Sequence, residues 1–315
     1  MTELRNFPKL SVLLVCYNQE RYIKRAIESI LAQDVPMDRL EVIVADDCST
    51  DKTLEIAIRI LGQVSDLAIR VLPTAANLGI TRNYDRGFSA CQGEYIAILE
   101  GDDYWCSPRK LESQVLFLER NLACSACCVN HFLYDEERSD FTLRTQEIQG
   151  YSFFNARQVI LENPASNFSN MVYRTSAIRD LPPGLFDLRA YDWMVNICIA
   201  RLGPIGYLHQ PMSVYRIHPD GAWSSLSKAD QISQQIVSIR SYDEFTGRIF
   251  HQEFESLLAE LCKGKFIPEM VYRSGWLRLI NILRAFVPPI VGKAVQMIIP
   301  PAIPIIFRKI FRRVS

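Results

Sequence analysis

At 315 residues, with 49% apolar and 22% charged side chains, the chain has the size and composition of a protein that buries a large core, which excludes disordered and collagen-like classes. Lys plus Arg and Asp plus Glu each number 35, so the net charge is zero and no nucleic-acid partner is expected. Nine unevenly spaced cysteines suit a reducing compartment, and the polar start from Met1 to Leu10 lacks the apolar core of a signal peptide.

From Lys9 to Trp105 two kinds of segment alternate. Leu10 to Cys16, Glu41 to Ala45, Leu67 to Leu72 and Tyr95 to Leu99 are short, rich in Val and Ile, and almost continuously apolar, the pattern of strands buried on both faces of a parallel sheet. Between them, Glu20 to Gln33 places Ile23, Ala26, Ile27, Ile30 and Leu31 at helical steps, and Thr53 to Leu61 follows the capping residues Ser49, Thr50 and Asp51. This alternation predicts an α/β layered domain. A further helix starts at Ser107 and Pro108 and runs to Arg120. Strands are predicted at Ala123 to Asp135, Ser169 to Tyr173 and Ile205 to Arg216, a helix over residues 191–202, and helical structure from Ser225 to Cys262. The division is a domain over residues 1–225, a helical extension over 226–285 and a tail over 286–315.

The tail differs in kind. Phe286 to Phe307 is apolar but carries five prolines, and Ala294 to Phe307 is 14 residues without a charge, shorter than a spanning helix of about 20. Arg308, Lys309, Arg312 and Arg313 follow. An apolar stretch beside basic residues suits attachment to an anionic membrane surface; packing on the domain or a dimer contact is the alternative.

Polar residues gather where the strands end, the place where α/β sheets bind ligands. The first strand ends in Cys16-Tyr17-Asn18, the second in Asp46-Asp47-Cys48-Ser49-Thr50-Asp51, and the fourth runs into Glu100-Gly101-Asp102-Asp103-Tyr104-Trp105. Clustered carboxylates repel one another, and a divalent cation, Mg2+ or Mn2+, relieves that conflict with substrate phosphates completing its shell. The tamer alternatives are that Asp51 caps a helix and that Asp46 and Asp47 shape a turn. GxGxxG, GxxxxGK[ST], HExxH and GxSxG are all absent, which argues against dehydrogenase, P-loop, zinc-protease and serine-hydrolase chemistry. Cys124, Cys127, Cys128 and His131 have CxxC spacing without a second pair, and read as buried strand residues.

LSVLLVCYNQERYIKRAIESILAQ, EVIVADDCSTDKT and NLGITRNYDRGFSACQGEYIAILEGDDYW together resemble the family 2 glycosyltransferases of the GT-A fold, over residues 9 to about 120 and more weakly to about 225. The resemblance implies a mostly parallel central sheet flanked by helices. It implies a nucleotide-sugar site in which Tyr17 packs near the base beside Asn18, Asp47 accepts from the base imide, and Asn77, Gly79 and Arg82 line the nucleotide pocket. Asp103 would bind the metal, with Asp102 facing ribose and metal; Glu100 stands where the family often has Asp. Asp192 matches the acid of the family's ED motif, although Tyr191 replaces its Glu, and Arg216 and His218 resemble the loop that closes over the pyrophosphate.

The chemistry asks for the same parts. Sugar transfer needs charge stabilisation on the departing diphosphate and a base for the acceptor hydroxyl, and one base predicts inversion. Asp192 is placed for that task in a helix's first turn, where the alternative is an acid at the positive end of a helix dipole. The expected activity is transfer from a UDP-sugar to a glycan or lipid-linked acceptor, in the cytoplasm at the inner face of the plasma membrane. A degenerate nucleotide-sugar-binding or scaffold protein of the same fold is the other reading.

Overall fold

The computed structural model describes residues 7–146, 148–189 and 191–262. Its first half is built as the sequence pattern requires. The strands β1 (Leu10–Cys16), β2 (Leu40–Asp46), β3 (Ala68–Val71) and β4 (Tyr95–Glu100) pair in parallel in the order β3-β2-β1-β4, with Leu13 opposite Ile43 on one side and Ile98 on the other. Both faces of β1 are covered, so alternate residues enter different cores: Leu13 and Val15 on one side, Val12 and Leu14 on the other. Each fully buried Val, Ile or Leu contributes about 1.5–3 kcal/mol relative to exposure, and all seven β1 residues are buried. The helices α1 (Ile23–Leu31) and α2 (Thr53–Leu61) lie on one layer, and α3 (Ile80–Ala90) on the opposite one.

Beyond β4 the pairing changes. The remaining elements are β5 (Tyr104–Trp105), α4 (Lys110–Arg120), β6 (Ala126–Asp135), β7 (Asp140–Leu143), β8 (Tyr151–Phe154), α5 (Ala156–Glu162), β9 (Met171–Arg174), α6 (Thr175–Arg179), α7 (Asp192–Leu202), β10 (Ile205–Ile217), α8 (Lys228–Phe245) and α9 (His251–Cys262). The sheet continues β4-β9-β6-β10-β5, with β9 antiparallel to both β4 and β6, and β10 parallel to β6 but antiparallel to β5 and β8. The expected mostly parallel sheet is therefore mixed: parallel through its N-terminal half and of both senses after it.

The helices after residue 225 share the core of the sheet domain. Ile239, Tyr242, Phe254 and Leu257 belong to the same buried cluster as Met194, Val195 and Ile197 of α7. The boundary expected at residue 225 is thus crossed by one continuous apolar core. No helix among the described residues is long and apolar enough to cross a membrane. The tail over residues 286–315 lies outside the described residues, as does the end of the helical extension.

One core group runs against its surroundings. Lys110 is fully buried, its ammonium lies 4.4 Å from the Trp105 ring centroid, and it has no hydrogen-bond partner among the described residues. Burial pushes its pKa down to about 7 from 10.5, opposed by the nearby Cys127, Cys128 and Cys106. The folded chain therefore binds fewer protons here than the unfolded chain between about pH 7 and 10.5, and stability should rise with pH across that window. Lys110→Met is expected to raise stability by about 1–3 kcal/mol at pH 7 and to flatten that rise, as read from urea denaturation at several pH values. Lower stability at pH 7, or an unchanged slope, would contradict this account.

Candidate active site

The site begins where β1 and β2 end. Cys16 O accepts from Asp47 N at 2.9 Å, which brings the two strand ends together. Asn18 takes a left-handed φ of 52°, a conformation Asn tolerates better than most residues, and its Oδ1 accepts from Thr50 N at 2.8 Å. Asp51 accepts from Thr53 N at 2.9 Å and Glu20 N at 3.0 Å, so it ties the loop after β1 to the start of α2. Asp47 is buried, and its two oxygens accept from Leu78 N at 2.8 Å and Gly79 N at 2.9 Å. Asn77 closes the group by donating from Nδ2 to Asp47 O at 3.2 Å, and Gly79 supplies the φ of 82° that the turn needs. Tyr17, 45% exposed, stands at the rim. Of the residues expected around the nucleotide, the structure thus gathers Tyr17, Asn18, Asp47, Asn77 and Gly79. Arg82 points elsewhere: its guanidinium pairs with Asp187 and lies 3.7 Å from Asp85, on a groove separate from the acidic cavity.

That cavity opens at the carboxyl end of β4, with a volume of about 240 Å3. Glu100, Asp102, Asp192, Tyr191 and Arg216 all line it. Residues 90 positions apart meet because β4 delivers Glu100 and Asp102 and the first turn of α7 delivers Asp192. The electrostatics record their proximity. Glu100 is pushed up to about 8, by burial first and then by the charge of Asp102, with Asp192 adding and the Tyr84 hydroxyl, which donates to Glu100 Oε1 at 2.7 Å, opposing.

Asp103 lies deeper than its neighbour Asp102. The sequence expectation made it the cation ligand, but it is 1% exposed and its oxygens already accept three hydrogen bonds. Asn167 Nδ2 and Ser169 Oγ donate to Oδ2 at 2.7 and 2.6 Å, and Arg216 N donates to Oδ1 at 2.9 Å. A carboxylate enclosed in this way holds the backbone and side chains around it. Asp102, its neighbour, faces the cavity, with His218 Nε2 3.1 Å from its Oδ2 and Arg216 Nε donating to its carbonyl at 2.9 Å. Arg216 is held over the rings of Tyr22, Tyr104 and Tyr134 at 4.9, 5.8 and 5.4 Å, and His218 lies 4.6 Å from Tyr22. Arg216 and His218 therefore do converge on the EGDD turn.

Among the described residues, no three His, Cys, Asp or Glu side chains converge as a ready-made metal cage. A Mg2+ or Mn2+ shell with one or two carboxylates and donor phosphates does not need one. Burial first, and then the charges of Asp102 and Asp192, push Glu100 up, and Asp102 lines the cavity beside it, so the acids gathered here suit such an ion at Asp102.

The sequence reading passed over several parts of this site. Tyr84, Asn167 and Ser169 hold the acids, and the polar run Asn163 to Asn170 that carries two of them was the available signal. Trp105 is core, its Nε1 donating to Ser169 O at 2.9 Å, whereas Trp193 and Trp223 line the cavity. Cys127, Cys128 and His131 are buried in β6, with His131 between Ser166 and Asn170 and pushed down to about 3 by burial and by Arg144.

A pH test follows from Glu100. Its native state holds a proton more tightly than the unfolded chain, so between pH 4.5 and about 8 stability falls as pH rises. Glu100→Gln keeps an acceptor for Tyr84 and removes the charge. In cation-free buffer it is expected to stabilise the protein by about 1 kcal/mol above pH 8 and to reduce that fall. A variant with the wild-type pH profile in thermal denaturation would remove Glu100 from the acidic cluster.

Comparison with known proteins bears on the family and the fold. A model described as glycosyl transferase family 2 matches residues 11–181. An uncharacterized protein of Mycobacterium tuberculosis is 33% identical over 221 residues, 69% of this chain, and the chain spans 61% of that relative's length. Among solved structures, Staphylococcus aureus TarS 1–349 in complex with UDP-GlcNAc aligns with a TM-score of 0.55 at 21% identity, over 73% of this chain and 65% of that one. Mannosyltransferase PcManGT from Pyrobaculum calidifontis in complex with GDP-Man and Mn2+ aligns with a TM-score of 0.58 at 18% identity, over 81% and 70%. The motifs at the ends of β1, β2 and β4, the mixed sheet and the matched family model lead to one assignment: the chain belongs to glycosyl transferase family 2 and has the GT-A fold.

Proposed function

We propose that the chain transfers a sugar from a nucleotide-diphosphate donor to an acceptor hydroxyl with inversion, in the synthesis of a surface polysaccharide or lipid-linked glycan. The observation that carries this reading is the meeting of Glu100, Asp102 and Asp192 in one cavity beside the knotted ends of β1 and β2. The nucleotide is held at the Tyr17, Asn18, Asp47, Asn77 and Gly79 end, and its diphosphate extends toward Asp102. A divalent cation held by Asp102, with Glu100 beside it, supplies charge stabilisation for the leaving diphosphate. Arg216 and His218 border the same turn, Arg216 holding the Asp102 carbonyl and His218 orienting its carboxylate. Asp103 keeps that turn in place from below.

Asp192 is the general base. It lines the cavity opposite the β4 acids and takes the proton from the acceptor oxygen as the glycosidic bond forms. One base and one displacement invert the anomeric centre. The donor is a UDP-sugar in this reading; TarS is solved with UDP and UDP-GlcNAc, and PcManGT with GDP-Man and Mn2+, which makes GDP the nucleotide to test against it.

Calorimetric titration with UDP and GDP, each with and without Mn2+, is expected to give metal-dependent binding of one of them. Asp102→Asn should lose the metal-dependent part, and Asp192→Asn should keep it while sugar transfer falls roughly a hundredfold or more. Absence of nucleotide binding under every condition would sink the transferase reading, and full transfer by Asp192→Asn would move the base elsewhere.

The apolar and basic residues 286–315 anchor the chain peripherally to the cytoplasmic face of the plasma membrane in this proposal, on the strength of their sequence alone. Truncation before Phe286 is expected to shift the protein from anionic vesicles to the supernatant in a sedimentation assay, with nucleotide binding retained. Unchanged sedimentation would reject the anchor.

A further inference from the structure

The cavity holds polar atoms that the chemistry above leaves without a task. Asn163 and Gln235 both line it, and the side-chain oxygens Asn163 Oδ1 and Gln235 Oε1 are buried with no hydrogen-bond partner among the described residues. A buried carbonyl oxygen without a donor is unfavourable, so two of them lining one cavity call for a ligand that donates. A cation–diphosphate unit offers no such donors; sugar hydroxyls do.

Both residues belong to the Asp192 side of the cavity. Asn163 is the C-cap of α5, and α5 is tied to the first turn of α7 where Trp193 Nε1 donates to Val159 O at 3.0 Å. Gln235 lies on α8 one turn after Gln231, whose Nε2 donates to Trp223 O at 2.9 Å, and two turns before Tyr242, whose hydroxyl donates to Arg189 O at 3.0 Å. The face of α8 that carries Gln235 therefore runs from the Trp223 loop to the segment just ahead of Asp192. A group that meets both amides while its hydroxyl meets Asp192 is the acceptor, not the nucleotide.

We propose that Asn163 and Gln235 are the acceptor-reading residues of this enzyme, accepting hydrogen bonds from hydroxyls of a sugar ring that rests against Trp193 and Trp223. The inference depends on the transferase reading above. A pyranose combines the two properties the wall requires: hydroxyls fixed on one edge, for the two amide oxygens, and a C–H face that suits an indole. A linear alditol must give up many torsions to present the same pattern, which makes it the poorer occupant.

Asn163 also has a backbone reason to be Asn, since its φ is 38°. The test separates the two roles. Asn163→Gly keeps the left-handed conformation without strain and removes only the amide, Gln235→Met removes the amide at equal length, and Gln235→Glu keeps an acceptor oxygen. Transfer from UDP-glucose, UDP-N-acetylglucosamine and GDP-mannose would be measured with methyl glycosides of glucose, galactose and mannose, and with ribitol and glycerol. The expected result is saturable transfer to a methyl glycoside, with acceptor KM raised five- to tenfold by Asn163→Gly and by Gln235→Met and restored within about twofold by Gln235→Glu. The donor KM should stay within twofold in each variant, and kcat at saturating acceptor within threefold. Unchanged acceptor KM in both variants, a donor KM that rises in parallel, or transfer to the alditols alone would overturn the proposal. Wild-type protein that binds nucleotide with metal but uses no glycoside overturns this inference alone, whereas wild-type protein that binds no nucleotide overturns the transferase reading with it.

Discussion

Asp103 takes a carboxyl group out of water and fixes three stretches of chain to it: the turn after β4, the segment around Asn167 and Ser169, and the end of β10 at Arg216. Burial and the neighbouring Asp102 and Glu100 raise its pKa well above the usual carboxylate range, and the donated hydrogen bonds work against that shift. Such a group is unfavourable on its own and tolerable only when its partners are all in place, so it acts as an all-or-none latch on the architecture around the cavity. Ser169 extends the latch, since it donates to Asp103 while accepting from Glu100 N at 3.1 Å. The positions of Glu100, Asp102 and Arg216 all follow from it.

The change of pairing after β4 divides the labour. The parallel half presents backbone loops at strand ends, the usual place for a nucleotide. The mixed half brings β9 back beside β4, places β10 beyond β6, and allows α5, α7 and α8 to close over the acids from the other side. Because α8 and α9 share the apolar core of α7, the far wall of the cavity is as firmly built as the sheet itself.

Much of this was legible in the residues. The strand β1 and the helix α2 lie where the apolar pattern puts them, β4 and α7 differ by a residue at one end and β2 by a residue at each end, because burial on both faces leaves a continuous apolar signal. The helix α3 went unread: it is polar outside Ile80, Tyr84 and Phe88, and that four-residue spacing is hidden behind a run that resembles a nucleotide loop. The capping box of Asn155 and Gln158 marks α5, yet seven residues are too few for a periodic signal. The neighbours Asp102 and Asp103 are alike in sequence, and which of them turns inward depends on Asn167, Ser169 and Arg216, contributed by distant parts of the chain. The direction of Arg82 was likewise settled from far away, by Asp187.

The placement of the tryptophans has a spectroscopic consequence. Trp105 is enclosed in the core, Trp193 and Trp223 face the cavity, and Trp276 lies outside the described residues. The cluster of Tyr17, Asn18, Asp47, Asn77 and Gly79 contains no indole. Entry of a sugar ring into the cavity changes the surroundings of two indoles at once, while a nucleotide base at the ends of β1 and β2 leaves those two in place. Intrinsic emission therefore distinguishes which end of the site fills first, and stopped-flow fluorescence can order the two arrivals without any label.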